Sequence, residues 1–248
     1  MRTALVSLGD MPAFPILVVQ HQATCPPGWL GGWLTDAGAV LDVRHPYAGQ
    51  QLPGDLADHG GLVILGGSMG ADDDAVIPWL RATKVLIREA AADGIPTLGI
   101  CLGHQLAAVA LGGAVEVNPA GAQTGVLDVG WLPAAAEDEL LAGCGSRAVQ
   151  WNDDIVSELP SGTTVLARAA AGELQAARFA PTVWGLQWHP EAGGDLVRQW
   201  AEVDRAAAPA RATQIDDRLL EVERADEKLR QDWRPLATNF AALTHRQP

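Results

Sequence analysis

Short apolar runs alternate with amphipathic stretches through the first part of the chain. Each run consists mostly of Val, Ile and Leu, which is typical of strands buried on both faces. The runs occupy residues 16–20, 40–43, 61–65 and 97–100. Residues 27–37 and 77–92 carry apolar side chains at helical spacing, and residues 52–57 indicate a short, weak helix. This alternation favours parallel strands joined by right-handed crossovers. We therefore predict an α/β fold: a doubly wound, mostly parallel sheet with flanking helices.

The middle of the chain has a β-rich pattern with loops. Candidate strands occupy residues 114–117, 124–127, 148–151 and 163–167. Two segments, residues 173–180 and 182–188, have alternating or continuous apolar residues and are separated by Pro181. This pattern predicts a hairpin. A helix over residues 196–206 is expected to follow it.

The C-terminal part has a separate pattern. Residues 207–212 are rich in Ala and Pro and are predicted to form a linker. An apolar stripe then predicts an amphipathic helix, and we expect it to end at Pro235 and to pack against the main domain. Residues 236–243 are predicted to form a last short helix. The predicted domain organisation is an N-terminal extension (1–14), a main domain (15–206) and a C-terminal helical appendage (207–248).

Composition and charge narrow the class of function. The chain has 248 residues, of which 48% are hydrophobic and 19% charged, as in globular proteins. A formal net charge of -13 argues against nucleic acid or an anionic membrane surface as a partner. The three cysteines are widely separated, which fits a reducing cytoplasm better than a disulfide framework. We find no signal-peptide pattern and no apolar stretch long enough to span a bilayer.

Cys101 lies at the most informative position in the chain. It follows the apolar run at residues 97–100 and precedes a stretch with helical spacing, within the sequence Gly-Ile-Cys-Leu-Gly-His-Gln. A thiol in such a strand-to-helix turn lies near the positive end of a helix dipole, which favours the thiolate. Gly99 and Gly103 allow a sharp turn and a close approach of substrate. The pattern resembles a nucleophile elbow with sulfur as the attacking atom, although a buried and inert cysteine is the alternative.

A base for such a nucleophile is available downstream. The predicted hairpin leads into Gln-Trp-His-Pro-Glu, in which Pro190 fixes the backbone between His189 and Glu191. Residues two apart in an extended segment point to the same side, so the carboxylate can orient the imidazole and stabilise its charged form. We predict that Cys101, His189 and Glu191 act together.

A glycine pair follows the third strand. Gly66 and Gly67 lie at the carboxyl end of a parallel strand, where doubly wound sheets place ligand contacts. A backbone N–H from this loop and the N–H of Leu102 could stabilise an oxyanion. The Walker spacing of a nucleotide loop is absent. The run Asp72 to Asp74 is expected to cap the next helix rather than to bind metal.

Together these motifs resemble the class I (triad) glutamine amidotransferases, especially stand-alone members related to the glutaminase domain of GMP synthetase. The similarity covers roughly residues 15–200 and includes the flavodoxin-like fold of that family. It implies that glutamine, or another γ-glutamyl compound, is hydrolysed through a cysteinyl thioester with release of ammonia. We expect the ammonia to pass to a synthetase that is a separate chain, because no ATP-binding domain fits in the remaining residues. We predict no metal or organic cofactor, because the run Asp72 to Asp74 and the six scattered histidines show no ligand spacing.

The resemblance also implies roles for individual residues. The catalytic residues would be Cys101 as nucleophile, His189 as general base and acid, and Glu191 as the orienting carboxylate. Gly67 and Leu102 would supply the oxyanion N–H groups. Residues implied to contact substrate are Gln105, Asn152, Asp153 and Asp154.

Two residues depart from the family pattern. The family frequently has His where Asn152 stands, and Pro is common where Ser68 follows the paired glycines. These departures leave open a γ-glutamyl amide or peptide hydrolase that acts alone. A non-catalytic binding or regulatory protein of the same fold is a third hypothesis. Deglycase-like proteins also have Cys-containing elbows, but resemblance to them is weaker because they do not usually have a downstream His-Pro-Glu.

Overall fold

The computed structural model describes residues 14–244 of the chain. The strands are β1 Ile16–Val19, β2 Leu41–Arg44, β3 Gly61–Ile64, β4 Thr97–Ile100, β5 Ala114–Val117, β6 Gln123–Asp128, β7 Arg147–Asn152, β8 Asp154–Glu158, β9 Thr164–Arg168, β10 Leu174–Ala180 and β11 Val183–Leu186. The helices are α1 Gly28–Asp36, α2 Trp79–Asp93, α3 Leu102–Ala110, α4 Gly194–Ala207 and α5 Ala212–Thr244. Short 3₁₀ turns occupy Pro46–Ala48, Asp73–Ala75, Pro133–Glu137 and Pro209–Arg211.

A seven-stranded sheet forms the centre of the fold, in the order β2-β1-β3-β4-β11-β10-β9. Strands β1 to β4 and β11 are parallel, and β10 pairs antiparallel with both β11 and β9. The predicted hairpin is therefore formed by β10 and β11, and its second strand pairs parallel with β4. The predicted α/β fold with a doubly wound, mostly parallel sheet is confirmed.

Helices cover both faces of this sheet. Apolar side chains of α1, α4 and α5 share one core cluster with Ile16 and Val18 of β1. Side chains of α2 and α3 share the other cluster with Leu17 and Val19 of the same strand. Alternate residues of a strand point to opposite faces, so a strand buried on both sides needs an unbroken apolar run. This explains why the apolar runs located these strands.

Two smaller antiparallel sheets lie outside the main one. β5 pairs with β8, and β6 pairs with β7. β8 was not predicted, because its sequence Asp-Ile-Val-Ser-Glu is short and only half apolar. The predicted substrate segment 152–154 therefore spans the connection between β7 and β8: Asn152 ends β7, Asp153 joins the strands and Asp154 begins β8.

Two local predictions are wrong. Residues 52–57 form an irregular loop rather than a helix, since Pro53 and Gly54 interrupt a segment too short to nucleate one. The run Asp72 to Asp74 does not cap α2, which begins at Trp79 after Pro78. Instead the side chain of Asp73 accepts the N–H of Gly70 at 2.8 Å, and Asp74 forms an ion pair with Lys84. The acidic run therefore holds the loop that follows the paired glycines.

The C-terminal helix does not end at Pro235. α5 continues to Thr244, with buried apolar residues on both sides of the proline. Proline has no N–H, so the carbonyl of Gln231 loses its helical partner, but burial of Leu236 and Phe240 in the shared core holds the helix together. α5 packs against α1, α4 and β6, and the predicted division at residue 207 stays a proposal.

Residues 1–13 of the predicted N-terminal extension, and residues 245–248, lie outside the described part of the chain. Between residues 14 and 244, no helix is both long and apolar enough to cross a membrane.

Two glycines allow α3 to lie close against the sheet. A Cβ on Gly99 would lie 2.3 Å from the carbonyl oxygen of Gly103, and a Cβ on Gly103 would lie 2.1 Å from the carbonyl oxygen of Ile64. Both contacts are with backbone, which cannot move aside without shifting the sheet or the helix. The glycines around Cys101 therefore set the distance between β3, β4 and the start of α3.

We expect Gly103→Ala to lower the free energy of unfolding by at least about 2 kcal/mol, because a methyl group in this contact overpacks the core. The matched control is Gly32→Ala in α1, where a Cβ meets nothing within 4 Å. This control should raise stability by about 0.5–1 kcal/mol, as alanine is the better helix former. Urea unfolding of both variants measures the two effects. Equal stability of the two variants would contradict the packing argument.

Candidate active site

Cys101 occupies the turn between β4 and α3. Its φ of 52° and ψ of -107° make it the one non-glycine residue with positive φ between residues 14 and 244. Such a backbone costs of order 1–3 kcal/mol and persists only where the surroundings hold it. The N–H of Cys101 donates to the carbonyl of Leu186 at 2.8 Å, which ties the elbow to β11. The strained turn places the nucleophile candidate directly before the first residue of α3.

His189 and Glu191 form a buried pair. His189 Nδ1 lies 2.7 Å from Glu191 Oε1, and both side chains are almost fully buried. The backbone holds them from two sides: the N–H of His189 donates to the carbonyl of Val149 at 2.8 Å, and the N–H of Trp29 donates to the carbonyl of Glu191 at 3.0 Å. The carboxylate thus holds the ring at Nδ1, and the side chain of Cys101 is a second polar neighbour of the ring.

The imidazole and the thiol meet beside Gly66. A Cβ on Gly66 would lie 3.1 Å from His189 Cε1 and 3.6 Å from Cys101 Cβ. A side chain at this position would therefore crowd the His189 ring, while it would only touch Cys101. The structure brings all three predicted catalytic residues, Cys101, His189 and Glu191, to one place at the carboxyl edge of the sheet.

Electrostatics favours a charged imidazole. Burial disfavours the imidazolium and by itself lowers the pKa of His189, but the negative charges of Glu191 and Cys101 outweigh this and raise the pKa to about 10. His104, three residues after the nucleophile, behaves oppositely, because burial lowers its pKa to about 3. Of these two histidines beside the elbow, His189 is the one that holds a proton at neutral pH.

The other cysteines are held as thiols. Burial raises the pKa of Cys25 to about 12, and the nearby charges of Cys101 and Glu191 act in the same direction. Burial also raises the pKa of Cys144 to about 12, with the charge of Asp138 adding to the effect. Neither side chain is therefore a ready nucleophile at neutral pH.

The two residues predicted to supply oxyanion donors are neighbours in the structure. A Cβ on Gly67 would lie 2.9 Å from Leu102 Cδ2. Leu102 is the first residue of α3, and the first N–H groups of a helix have no intrahelical acceptor. The helix dipole also favours negative charge at this point. Gly67 and Leu102 thus border the same corner of the site, next to the thiol.

Three of the four predicted substrate residues are linked by hydrogen bonds to one backbone carbonyl, that of Asp154. Gln105 is buried, and its amide nitrogen donates to the carbonyl of Asp154 at 3.0 Å and approaches the side-chain oxygen of Gln187 at 3.4 Å. The amide nitrogen of Asn152 donates to the same carbonyl of Asp154 at 3.1 Å, while its Oδ1 has no partner among the described residues. Gln105 and Asn152 therefore converge on the connection between β7 and β8.

The two carboxylates at the connection between β7 and β8 differ in exposure. Asp153 is exposed and Asp154 is half-buried. Burial raises the pKa of Asp154, and the charges of Asp153 and Asp73 add to the effect. Asp73 thus belongs to the surroundings of the predicted substrate residues, which the sequence did not indicate because 80 residues separate it from Asp153. Contact of any of these residues with substrate stays a proposal.

Trp200 is a further site residue that the sequence did not indicate. Its ring lies over His189, with 4.6 Å between ring centroids and 52° between ring planes. Its indole N–H donates to the carbonyl of Thr24 at 2.8 Å. An aromatic face near an imidazolium is a favourable cation–π arrangement. The helical periodicity of α4 is the only sequence signal at Trp200. It can predict that this side chain is buried, but it cannot predict that the side chain contacts His189.

No group of three or more His, Cys, Asp or Glu side chains that could hold a metal ion is present within residues 14–244.

Comparison of sequences shows similarity to one family. A family model described as glutamine amidotransferase class-I matches residues 39–198. The chain is 39% identical over 118 residues to a glutamine-hydrolyzing GMP synthase subunit of Methanosarcina barkeri, and the match covers 44% of this chain and 60% of that protein. The glutamine amidotransferase-like protein YfeJ of Salmonella typhimurium is 30% identical over 178 residues, or 70% of this chain and 74% of that protein.

Comparison of structures extends over nearly the whole chain. A glutamine amidotransferase of Thermotoga maritima superposes with a TM-score of 0.82 at 25% identity, covering 93% of this chain and 99% of that one. A glutamine amidotransferase of Methylobacillus flagellatus superposes with a TM-score of 0.81 at 26% identity, covering 96% of this chain and 98% of that one. These alignments extend well beyond the segment matched by the family model.

The raised pKa of His189 predicts a specific titration. The ordinary histidine pKa is 6.5. The raised pKa of His189 therefore contributes fully to the free energy of unfolding below about pH 6.5, and this contribution is lost as the pH rises through about 10. We expect NMR of ¹³C-labelled histidine to show a His189 ring that stays protonated from about pH 6 to about pH 9. Glu191→Gln should lower the midpoint by more than about one unit, because it removes the nearest negative charge.

Two further variants complete this titration. His189→Asn assigns the resonance, and Glu202→Gln on the exposed side of α4 is the matched control that should leave the midpoint unchanged. A wild-type midpoint near 6.5 would show that the pair with Glu191 does not govern the ring.

Proposed function

The chain belongs to the class-I glutamine amidotransferases, and from this premise we propose that it hydrolyses the side-chain amide of glutamine to glutamate and ammonia through a cysteinyl thioester. One observation carries the proposal: a Glu191-bound imidazole lies beside a cysteine in a strained strand-to-helix turn. The protonated state of Cys25 and Cys144 supports the choice of Cys101 as nucleophile.

In the first half of the proposed reaction, the Cys101 thiolate attacks the side-chain carbonyl carbon of glutamine. The carbonyl oxygen becomes an oxyanion, and the backbone N–H groups of Gly67 and Leu102 are the proposed donors to it. His189, protonated at neutral pH, gives its proton to the amide nitrogen, so the C–N bond breaks and ammonia leaves. A γ-glutamyl thioester on Cys101 remains.

In the second half, water replaces ammonia. His189, now neutral, takes a proton from water as the water oxygen attacks the thioester carbonyl. The C–S bond breaks, and the thiolate–imidazolium pair returns. The product leaves as glutamate after its new γ-carboxyl group releases the second water proton to solvent. Glu191 is negative throughout and stabilises the charged ring in both steps, as the acidic member of a triad does.

We propose that a separate synthetase chain receives the ammonia. The support is the name of a relative: the Methanosarcina barkeri protein is named as one subunit of a glutamine-hydrolyzing GMP synthase. The present chain spans 60% of the length of that relative at 39% identity.

A γ-glutamyl amide or peptide hydrolase that acts alone is a second candidate. The observation in its favour is Asn152, whose buried Oδ1 has no partner among the described residues. An oxygen in that position can accept a hydrogen bond from a substituted amide or from an amino group of a larger substrate. The two candidates share the thioester chemistry and differ in the leaving group.

The first test is release of ammonia from glutamine by the purified chain, with a γ-glutamyl dipeptide assayed in parallel. Cys101→Ser should abolish release from either substrate, because the hydroxyl is nearly isosteric with the thiol but far less nucleophilic. Cys144→Ser is the matched control and should retain wild-type turnover, since this thiol is held protonated. Turnover by Cys101→Ser would contradict the mechanism, and cleavage of the dipeptide alone would favour the second candidate.

The second test concerns the base. We expect His189→Ala to lower kcat by about a thousandfold or more, as removal of a triad histidine does in other enzymes. The matched control is His45→Ala in the turn after β2, where the ring contacts Gln50 and Tyr47. This control should change kcat by less than about twofold. A loss of less than about tenfold in His189→Ala would mean that another group moves the proton.

A further inference from the structure

The loop that follows β1 contacts the loop that carries Gly67. The side-chain oxygen of Gln22 accepts two hydrogen bonds from Ser68, one from its backbone N–H at 3.0 Å and one from its hydroxyl at 2.8 Å. Gln22 and Ser68 are 46 residues apart, so these bonds join two separate loops at the same edge of the sheet. Ser68 directly follows the proposed oxyanion residue Gly67.

Gln22 is itself held in place. Its amide nitrogen donates to the hydroxyl of Thr24 at 2.9 Å and approaches the sulfur of Cys25 at 3.3 Å. The buried side chain of Gln20 donates to the backbone carbonyl of Gln22 at 2.9 Å. Both the oxygen and the nitrogen of the Gln22 amide therefore have hydrogen-bond partners, so the side chain has one preferred orientation. We call Gln22 and its two hydrogen bonds from Ser68 the bracket.

The loop after β1 also contacts the other half of the site. The carbonyl of Thr24 accepts the indole N–H of Trp200, whose ring lies over His189. The same short segment thus braces the glycine loop through Gln22 and the imidazole through Trp200. A shift of this segment would change the spacing between the proposed oxyanion donor and the proposed base.

The bracket has a physical role because little within the loop that carries Gly67 restrains the backbone beside the paired glycines. The paired glycines Gly66 and Gly67 have no side chains that could restrain the loop, and the residue after them is a serine, whose φ no ring restrains. A proline there would restrain its own φ without outside help. In this chain the restraint comes from another loop, through two hydrogen bonds to Ser68.

We propose that Gln22 is a positioning residue for the oxyanion loop, which holds the N–H of Gly67 in place through Ser68. This proposal rests on the proposed glutaminase function for its kinetic consequence. The oxyanion forms only after attack, so loss of the bracket should lower kcat and leave KM almost unchanged. Alkylation of Cys101 by iodoacetamide needs no oxyanion hole and should keep its wild-type rate.

The kinetic experiment compares Gln22→Ala with Gln199→Ala, an exposed glutamine on α4 whose amide bonds the carbonyl of Asp195 in its own helix. We expect Gln22→Ala to lower kcat about fivefold to tenfold, in line with two lost hydrogen bonds, with KM and the alkylation rate within about twofold of wild type. Gln199→Ala should match wild type throughout. A parallel fall in alkylation would show a damaged nucleophile and overturn the proposal, as would an unchanged kcat in an active enzyme.

A double-mutant cycle with Ser68→Pro separates the bracket from other effects. Proline removes both donors to Gln22 but restrains the loop by its ring, so Gln22→Ala should have no further effect on kcat in the Ser68→Pro background. An equal loss in both backgrounds would show that Gln22 acts elsewhere and would overturn the proposal.

Hydrogen exchange tests the bracket without any turnover. In Gln22→Ala, amide exchange in the segment 66–70 should accelerate about tenfold, while exchange in β3 and α3 stays unchanged. Unchanged exchange in this segment would overturn the proposal even if the wild-type chain releases no ammonia. Accelerated exchange in a chain that releases none would support the bracket and count against the proposed function alone.

Discussion

The buried pair of His189 and Glu191 is the interaction on which the rest of the site depends. A carboxylate and an imidazolium removed from water are stable only together, and removal of one partner leaves an uncompensated buried charge. One carboxylate oxygen of Glu191 bonds the ring, and the other has no partner among the described residues. The surrounding backbone bonds to His189 and Glu191 therefore serve to hold a pair that solvent would otherwise separate.

The register of two parallel strands brings the nucleophile to this pair. Ile100, the last residue of β4, lies opposite Leu186, the last residue of β11. The chain leaves both strands at the same edge, so Cys101 follows at once and His189 lies three residues beyond β11. The tight contacts of Gly99 and Gly103 keep α3 close to this edge, with its N-terminus next to the thiol. Attack, charge stabilisation and proton transfer can therefore occur within one corner of the sheet.

Helix α5 stabilises this corner from outside the segment matched by the family model. Trp233 packs against Trp188, the residue before His189, with 5.2 Å between ring centroids. The carboxylate of Asp226 accepts the N–H of Gly194 at 2.8 Å, at the start of α4. Both contacts flank the segment that carries His189 and Glu191. α5 thus packs as part of the core that supports the site.

The sequence alone located the strands of the main sheet and most of the helices, because buried strands and amphipathic helices are local patterns. It also selected Cys101, His189 and Glu191 as a candidate set, because the turn motifs that carry them are local as well. It misplaced the end of the last helix, since burial of Leu236 and Phe240 outweighs the local effect of Pro235. It could not indicate Trp200 over His189, Asp73 near Asp154, or the bond from Gln22 to Ser68. The members of these pairs lie on different elements or loops, from 11 to 81 residues apart in the chain. Only the packing of the folded sheet and helices determines which of these side chains become neighbours.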